Sequence, residues 1–386
     1  MRLSKQLFSS EMRLPSDFST TRTSDLLENG VFVYFRDPGI PFYLPIGRRV
    51  LSKMERIFLK ESRSLGMEHI EIPAILRDET LEEGESITDT FKARIVRLNN
   101  SSLNGYHVLT TPEPMMLDLA KHSLQSHHQL PLRLVYNVEV IRGVQKPKGV
   151  LKGRQFKAFM GNSFDADATS LKESSQLFGS LSERIFSLLG IDVYRREGMD
   201  GKDIEHFYFA EEGDNLLMPE IEPTHRLKAL SLAMTYHYNP TKKSGVRFRN
   251  RQNKNSHIVY ETFGLGTQRT FYALFDSHRD DQGFRLPNSV APFPVSIIPV
   301  KSQDLEDAER LYQSIPTEAM LDDRKNVTFA EKARFSDYVG IPYKVMVGDG
   351  NYTIKDREGN LEKRVEKDYL VSAFLEERHG TQLPLL

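Results

Sequence analysis

The chain has 386 residues, 39% of them hydrophobic, with 52 Lys+Arg balanced by 53 Asp+Glu and neither cysteine nor tryptophan. The formal net charge of −1 excludes a uniformly basic nucleic-acid coat, and the lack of cysteine excludes disulfides, thiolate zinc sites and a cysteine nucleophile. No apolar run is long enough to span a membrane, and MRLSKQLFSSEMRL lacks the apolar stretch of a secretory signal, so a cytoplasmic protein with no membrane partner is expected.

The length predicts two or three domains. Residues 47–66 place Val50, Leu51, Met54, Ile57, Phe58 and Leu65 at helical spacing, and HIEIPAIL then alternates like a strand up to Pro73. LPLRLVYNVEVIR reads as a buried strand, GVQKPKGVLKG as a basic loop and RQFKAFMGNSF as a second strand. The loop and its flanks carry Arg142, Lys146, Lys148, Lys152, Arg154 and Lys157 with no acidic residue among them, which suits either a solvated loop or a polyanion. A helix is expected over 168–190 and a strand at IDVYRR. Near Ile258 a strand ends in Gly264-Leu265-Gly266, and a helix starts around Thr267. Glycines at such a junction admit a ligand to the backbone, the helix start favours phosphate, and Arg269 adds a charge beside it. The prolines of 287–294 mark a boundary, after which strands PVSIIPV, EAMLDDR and YKVMVG alternate with helices at 303–314 and 328–339, the pattern of a mostly parallel α/β domain.

In this order the pieces resemble a class II aminoacyl-tRNA synthetase, most nearly a bacterial-type prolyl-tRNA synthetase. MRLSKQLF is similar to the family's opening, and YLPIGRRVLSKMERIFLKES to its motif 1 helix, with Pro73 in the place of the proline at the dimer interface. LPLRLVYNVEVIRGVQKPKGVLKGRQFKAFMGNSFD resembles motif 2 and ETFGLGTQRTFYALFDSHRDDQGFRLPNSVAPF motif 3. LDDRKNVTFAEKARFSDYVGIPYKVMVG is similar to the anticodon-binding domain. Too few residues separate motifs 2 and 3 for the family's editing insertion. The resemblance implies an α+β fold: an antiparallel sheet flanked by helices over 1–290, then a smaller anticodon-binding-like α/β domain over 291–386.

It also implies a homodimer that uses ATP and Mg²⁺ to make an aminoacyl-adenylate, with proline the default substrate, and passes the amino acid to tRNA. Arg142 would meet the α-phosphate and the substrate carboxylate, and Phe156 would stack on adenine. Arg269 would cover the other adenine face and reach the γ-phosphate. Gly264 and Gly266 would admit the nucleotide, Arg154 would add a cation, and Glu261 is the candidate magnesium carboxylate. Thr111 and Glu113 match the Thr-x-Glu signature that holds the amino acid; TTPEP equally suits a helix start, with Thr111 as cap. Thr262 replaces the cysteine before motif 3's Gly-x-Gly. Asp322, Asp323, Arg324 and Lys332 fall where the family meets the anticodon, or form a solvated strand end and helix.

Departures gather around the substrate. Gly143-Val144 follows Arg142 where the family has x-Glu, Gln155 replaces a glutamate, and FMGNSF replaces a Lys-Asp run. THRLKALSLAMTY stands where the family carries Phe-x-Leu-Gly-Thr, and IEHF at 204–207 scrambles a Ser-His-Glu-Phe pattern. Three readings follow: a working ligase, a silent synthetase paralogue acting as a regulatory or RNA-binding subunit, or an aminoacyl transferase to a non-tRNA acceptor. The six Lys/Arg of TKKSGVRFRNRQNK would serve an RNA-binding role or form an exposed loop.

Overall fold

The computed structural model describes residues 1–7, 14–15, 17–80, 92–99, 102–198, 203–222, 224–238 and 245–378. They divide into two compact units: Phe35–Pro41 with Met54–Leu274, and Met1–Tyr34 with Phe42–Lys53 and Phe275–Leu386. Among the described residues no helix is long and apolar enough to cross a membrane.

The first unit is built on a seven-stranded sheet. Its strands are β1 (Glu68–His69), β2 (Leu132–Ile141), β3 (Gln155–Asp165), β4 (Tyr194–Arg196), β5 (Glu205–Leu217), β6 (Arg226–Tyr238) and β7 (Val259–Leu265). They lie in the order β1-β2-β3-β7-β6-β5-β4. β1 runs parallel to β2, and every other neighbouring pair is antiparallel. The antiparallel sheet implied by the family resemblance is therefore present. The helix expected over 47–66 is α1 (Pro45–Ser64). HIEIPAIL does not form one strand: pairing in the large sheet ends after His69, and Ile75–Arg77 joins a separate three-stranded sheet. Pro73 lies between the two pieces and has no N–H to carry a ladder onward.

Two further helices belong to this unit, α2 (Glu113–Ser123) and α3 (Ala168–Leu189), and α4 (Thr267–Ser277) begins in it. The Asp167 side chain caps α3 by accepting from the Thr169 and Ser170 N–H groups, and Gly190 ends the helix at φ 65°. α3 covers one face of the sheet, where Phe178 stacks on Phe263 with ring centres 4.9 Å apart. Gly161 permits this approach, because a Cβ there would lie 2.9 Å from the Leu134 carbonyl oxygen and 3.0 Å from the Phe178 ring. The opposite face carries a second apolar cluster that includes Tyr136, Met160, Phe164 and Tyr260.

The second unit contains a five-stranded sheet from β8 (Val295–Pro299), β9 (Ala319–Leu321), β10 (Tyr343–Gly348), β11 (Asn351–Asp356) and β12 (Glu362–Val365). The order is β9-β8-β10-β11-β12, with β8 parallel to both β9 and β10. β11 and β12 add an antiparallel edge that the sequence reading did not anticipate. Helices α5 (Leu305–Ser314), α6 (Phe329–Tyr338) and α7 (Lys367–Arg378) complete it. A capping box of Thr328 and Glu331 starts α6. The N-terminal residues join this sheet: the Leu321 N–H donates to the Met1 carbonyl at 2.8 Å, and Leu3 is fully buried.

Candidate active site

A cavity of about 550 Å³ opens on the face of the large sheet opposite α3. β2, β3, β6 and β7 provide its floor, α2 and the start of α4 its ends, and the loop between β2 and β3 one wall. The β2–β3 loop bends through a short helical turn at Gly149–Leu151. Thr111 and Glu113, Arg142, Phe156, Thr262, Gly264 and Gly266, and Arg269 all line this one cavity. Residues from four separated stretches of sequence thus meet in one cavity.

Glu113 opens α2 and is buried. Burial pushes its carboxyl above the ordinary value, against the pull of the Arg142 charge. Its Oε2 has no hydrogen-bond partner among the described residues. An unsatisfied carboxylate oxygen on a residue that lines a cavity can accept from a ligand donor. Thr111 lies beside it, but neither it nor any other side chain caps α2 by a hydrogen bond. The start of α2 is displaced from the sequence expectation: Pro112 itself is the N-cap, Pro114 is the proline in the first helical turn, and Thr111 is not the cap.

Arg142 is anchored from behind, its Nε donating to the Thr110 carbonyl at 3.1 Å. Its guanidinium lies over the Phe156 ring, 5.1 Å from the centre. Burial lowers its pKa and Glu113 raises it. Arg269, in the first turn of α4, donates to the Leu151 carbonyl at 3.2 Å and the Ser231 carbonyl at 3.3 Å, and its NH2 lies 3.4 Å from Asp214. Burial lowers its pKa as well, so both partly desolvated cations gain by meeting an anion. Gly264 and Gly266 have no left-handed backbone, and a Cβ at either would find only ordinary contacts at 3.7 Å. Their effect is to keep side chains out of the cavity.

Three sequence expectations are corrected here. Arg154 is not a lining residue: its guanidinium ties the loop to β3 by donating to the Val144 carbonyl and the Pro38 carbonyl, each at 3.0 Å. Glu261 points to the α3 side, because side chains alternate along β7 and Thr262 faces the cavity. There it accepts from Ser175 Oγ at 2.6 Å and lies 3.3 Å from His237 Nε2. Burial chiefly, then the Asp165 and Asp203 charges, push its carboxyl up to about 8 although the Ser175 bond opposes this. Lastly, Asp322, Asp323 and Lys332 are buried in the second unit instead of forming an exposed surface. Asp322 pairs with Arg324 at 2.6 Å, Asp323 accepts two 2.7 Å bonds from Ser4, and the Arg324 guanidinium lies 4.7 Å from the Phe335 ring centre. Opposite charges folded inward against the N-terminal residues satisfy one another.

The sequence reading missed several residues of the site. Arg94 lines the cavity, and its carbonyl accepts from the Gly143 N–H at 2.9 Å. Gly143, which receives this second loop, thus directly precedes Val144, the residue in the place of the family's motif 2 glutamate. Beneath Thr262 runs a buried relay: Tyr136 OH donates to Asn162 Oδ1 at 2.6 Å, and Asn162 Nδ2 donates to Tyr260 OH at 2.8 Å and Thr262 Oγ1 at 3.0 Å. Asn162 in the apolar run FMGNSF was its visible signal. Ser231, Met234 and Tyr236 come from β6, a strand the sequence reading did not identify.

The large, mainly antiparallel sheet carries the cavity between an arginine-bearing hairpin and an arginine-bearing helix start, an arrangement similar to that implied by the class II synthetase resemblance. Comparison with known proteins narrows the likeness. No family model matches the chain. Curated relatives named Proline–tRNA ligase include that of Anaplasma marginale (strain St. Maries), 26% identical over 84% of this chain and 87% of the relative. That of Rhodopseudomonas palustris (strain BisB5) is 26% identical over 83% and 87%. Among solved structures, the Cryptosporidium parvum prolyl-tRNA synthetase complexed with halofuginone and AMPPNP shares the fold with a TM-score of 0.74 at 18% identity, covering 93% of this chain and 77% of that one. The Giardia lamblia prolyl-tRNA synthetase in complex with prolyl-adenylate gives 0.72 at 17%, covering 92% and 75%. The chain resembles the prolyl-tRNA synthetases in both sequence and fold.

Proposed function

We propose that this chain is an aminoacyl-tRNA ligase that activates an amino acid, proline by default, with ATP and transfers it to tRNA. The observation that carries the reading is the pairing in one cavity of the unpartnered Glu113 oxygen with two partly desolvated arginines, Arg142 and Arg269. An amino acid presents an ammonium and a carboxylate a few bonds apart, and Glu113 beside Arg142 offers the complementary pair. Glu113 and Thr111 hold the ammonium. Arg142 draws the carboxylate against the α-phosphorus, whose bond to pyrophosphate breaks as the new C–O–P link forms. Arg142 and Arg269 meet the charge that grows on the phosphates, without reorganising, because backbone carbonyls already fix both guanidinium groups. Phe156 supports adenine on the ring surface that Arg142 leaves open. A hydroxyl of the terminal tRNA ribose then attacks the adenylate carbonyl, and AMP leaves.

The likeness to relatives named Proline–tRNA ligase supports proline. For magnesium, no group of three His, Asp or Glu side chains able to hold a metal ion is found among the described residues. The described residues supply no cage of their own, and no step depends on the ion; it would travel on the nucleotide's phosphates. The exposed Pro73 and Ile75 suit the expected contact between two copies of the chain in the cytoplasm. Amino-acid-dependent ATP–pyrophosphate exchange with all twenty amino acids tests the reading. Exchange with proline is expected; exchange with another amino acid keeps the chemistry and moves the specificity; none with any of them rejects the ligase.

A further inference from the structure

We propose that the hairpin Arg247–Arg249/Asn255–His257 and the end of α2 form a docking surface for the phosphodiester backbone of the RNA that is charged in the cavity. This rests on the ligase reading and adds to it a binding surface outside the cavity. The hairpin alternates in a simple way: Val246 and Phe248 turn into the apolar cluster beneath, while Arg247 and Arg249 are exposed on the other side. Arg251 and Lys254 extend the exposed row around the turn. From Gly245 to Ile258 the sequence contains no Asp or Glu, and the strand opposite the arginines offers only Asn255, Ser256 and His257.

Among the described residues, the side chains of Arg247, Arg251 and Lys254 form no ion pair or hydrogen bond. They contrast with arginines such as Arg195, Arg196, Arg310 and Arg357, each tied to carboxylates. Four cations gathered on eight residues repel one another; Arg249 donates to the Asn253 carbonyl at 3.1 Å, but among the described residues no carboxylate pairs with any of the four. An external polyanion would offset that repulsion. Lys242 and Lys243, from the same basic segment, lie outside the described residues.

The hairpin's location favours RNA over other polyanions. Ser126 bridges to Arg249, and the Arg249 N–H donates to the Gln125 carbonyl at 2.8 Å, so the hairpin is fixed to the chain just after α2. The last turn of α2 adds Lys121 and His122. The first residue of that same helix is Glu113, in the cavity. A rise of about 1.5 Å per residue puts the basic end roughly 12–15 Å from the amino-acid end. A strand whose 3′ end reaches the cavity has its preceding phosphates within that span.

The test compares wild type with Arg247→Ser/Arg251→Ser/Lys254→Ser, using transcribed proline tRNA at several salt concentrations. The triple variant is expected to bind at least about tenfold more weakly at ~0.1 M salt, with a salt slope smaller by about 2–3. Its ATP–pyrophosphate exchange should equal that of wild type. The charge-preserving variant Arg247→Lys/Arg251→Lys/Lys254→Arg should bind tRNA as wild type does. Unchanged tRNA affinity and salt slope in the triple Ser variant overturn the docking surface, even if wild type exchanges and charges normally. Loss of tRNA binding in the triple Ser variant from a wild-type chain that shows no exchange keeps the surface and rejects the ligase.

Discussion

Two buried glutamates on opposite sides of the large sheet show how the chain separates structure from chemistry. Glu261, on the α3 side, lies among the chain's own polar groups, with Ser175 donating to it and His237 beside it. Each keeps one oxygen without a hydrogen-bond partner among the described residues, but Glu113 lines the cavity and has an arginine close enough to influence its ionisation. Burial raises the pKa of both. On the α3 side a proton resolves the cost, since a carboxyl raised to about 8 is mostly neutral at pH 7. On the cavity side a ligand cation would. The difference shows that burial alone does not mark a functional carboxylate; what the unsatisfied oxygen faces does.

The comparison can be broken at several points. The largest effect is expected from Arg269→Ala, which removes a fixed charge from the phosphate end: exchange should fall by about 10²–10³-fold with the melting temperature nearly unchanged. Retained exchange would take Arg269 out of the site. Glu261→Gln should act on stability instead of activity. Its folded pKa, near 8, exceeds the ordinary 4.5, so the folded state holds a proton that the unfolded chain releases. Wild-type stability therefore falls as pH rises from about 4.5 to 8, by at most about 1.4 kcal/mol per pH unit from this group. The glutamine variant should lose that slope, as urea titrations at pH 5, 6.5 and 8 would reveal. Phe156→Ala should weaken ATP binding by about 1–3 kcal/mol, read as KM for ATP, while KM for the amino acid moves little. Arg154→Ala should have the smallest effect, a stability loss of about 1 kcal/mol with ATP binding kept, because its bonds run to carbonyls of the chain.

Legibility from the sequence followed local pattern. α1 and α3 were visible because their apolar residues recur at helical spacing, and the parallel strands of the second unit because they are continuous apolar runs. β5 and β6 were missed: β5 carries Glu211, Glu212 and Asp214, and a register shift between Phe209 and Asp214 breaks its alternation. The cavity's cations and Glu113 were legible through the order of the motifs. Arg94 was not, since what brings it to the site is a backbone bond to Gly143 that no side-chain pattern records. Glu261 was misplaced for a related reason: it adjoins Thr262 in sequence, but neighbours on a strand face opposite ways, and the Gly-x-Gly resemblance gave no phase.

In the proposed reaction Glu113 receives the substrate ammonium. Proline-dependent ATP–pyrophosphate exchange by wild type and Glu113→Gln, measured from pH 6 to 9, tests it most directly. Ammonium binding requires an ionised Glu113, so wild-type KM for proline should fall as pH rises through the raised pKa of that carboxyl. The glutamine variant should show a KM for proline raised by about a hundredfold, an unchanged KM for ATP and no such pH dependence. Equal proline KM values in the two proteins across that range would contradict the account.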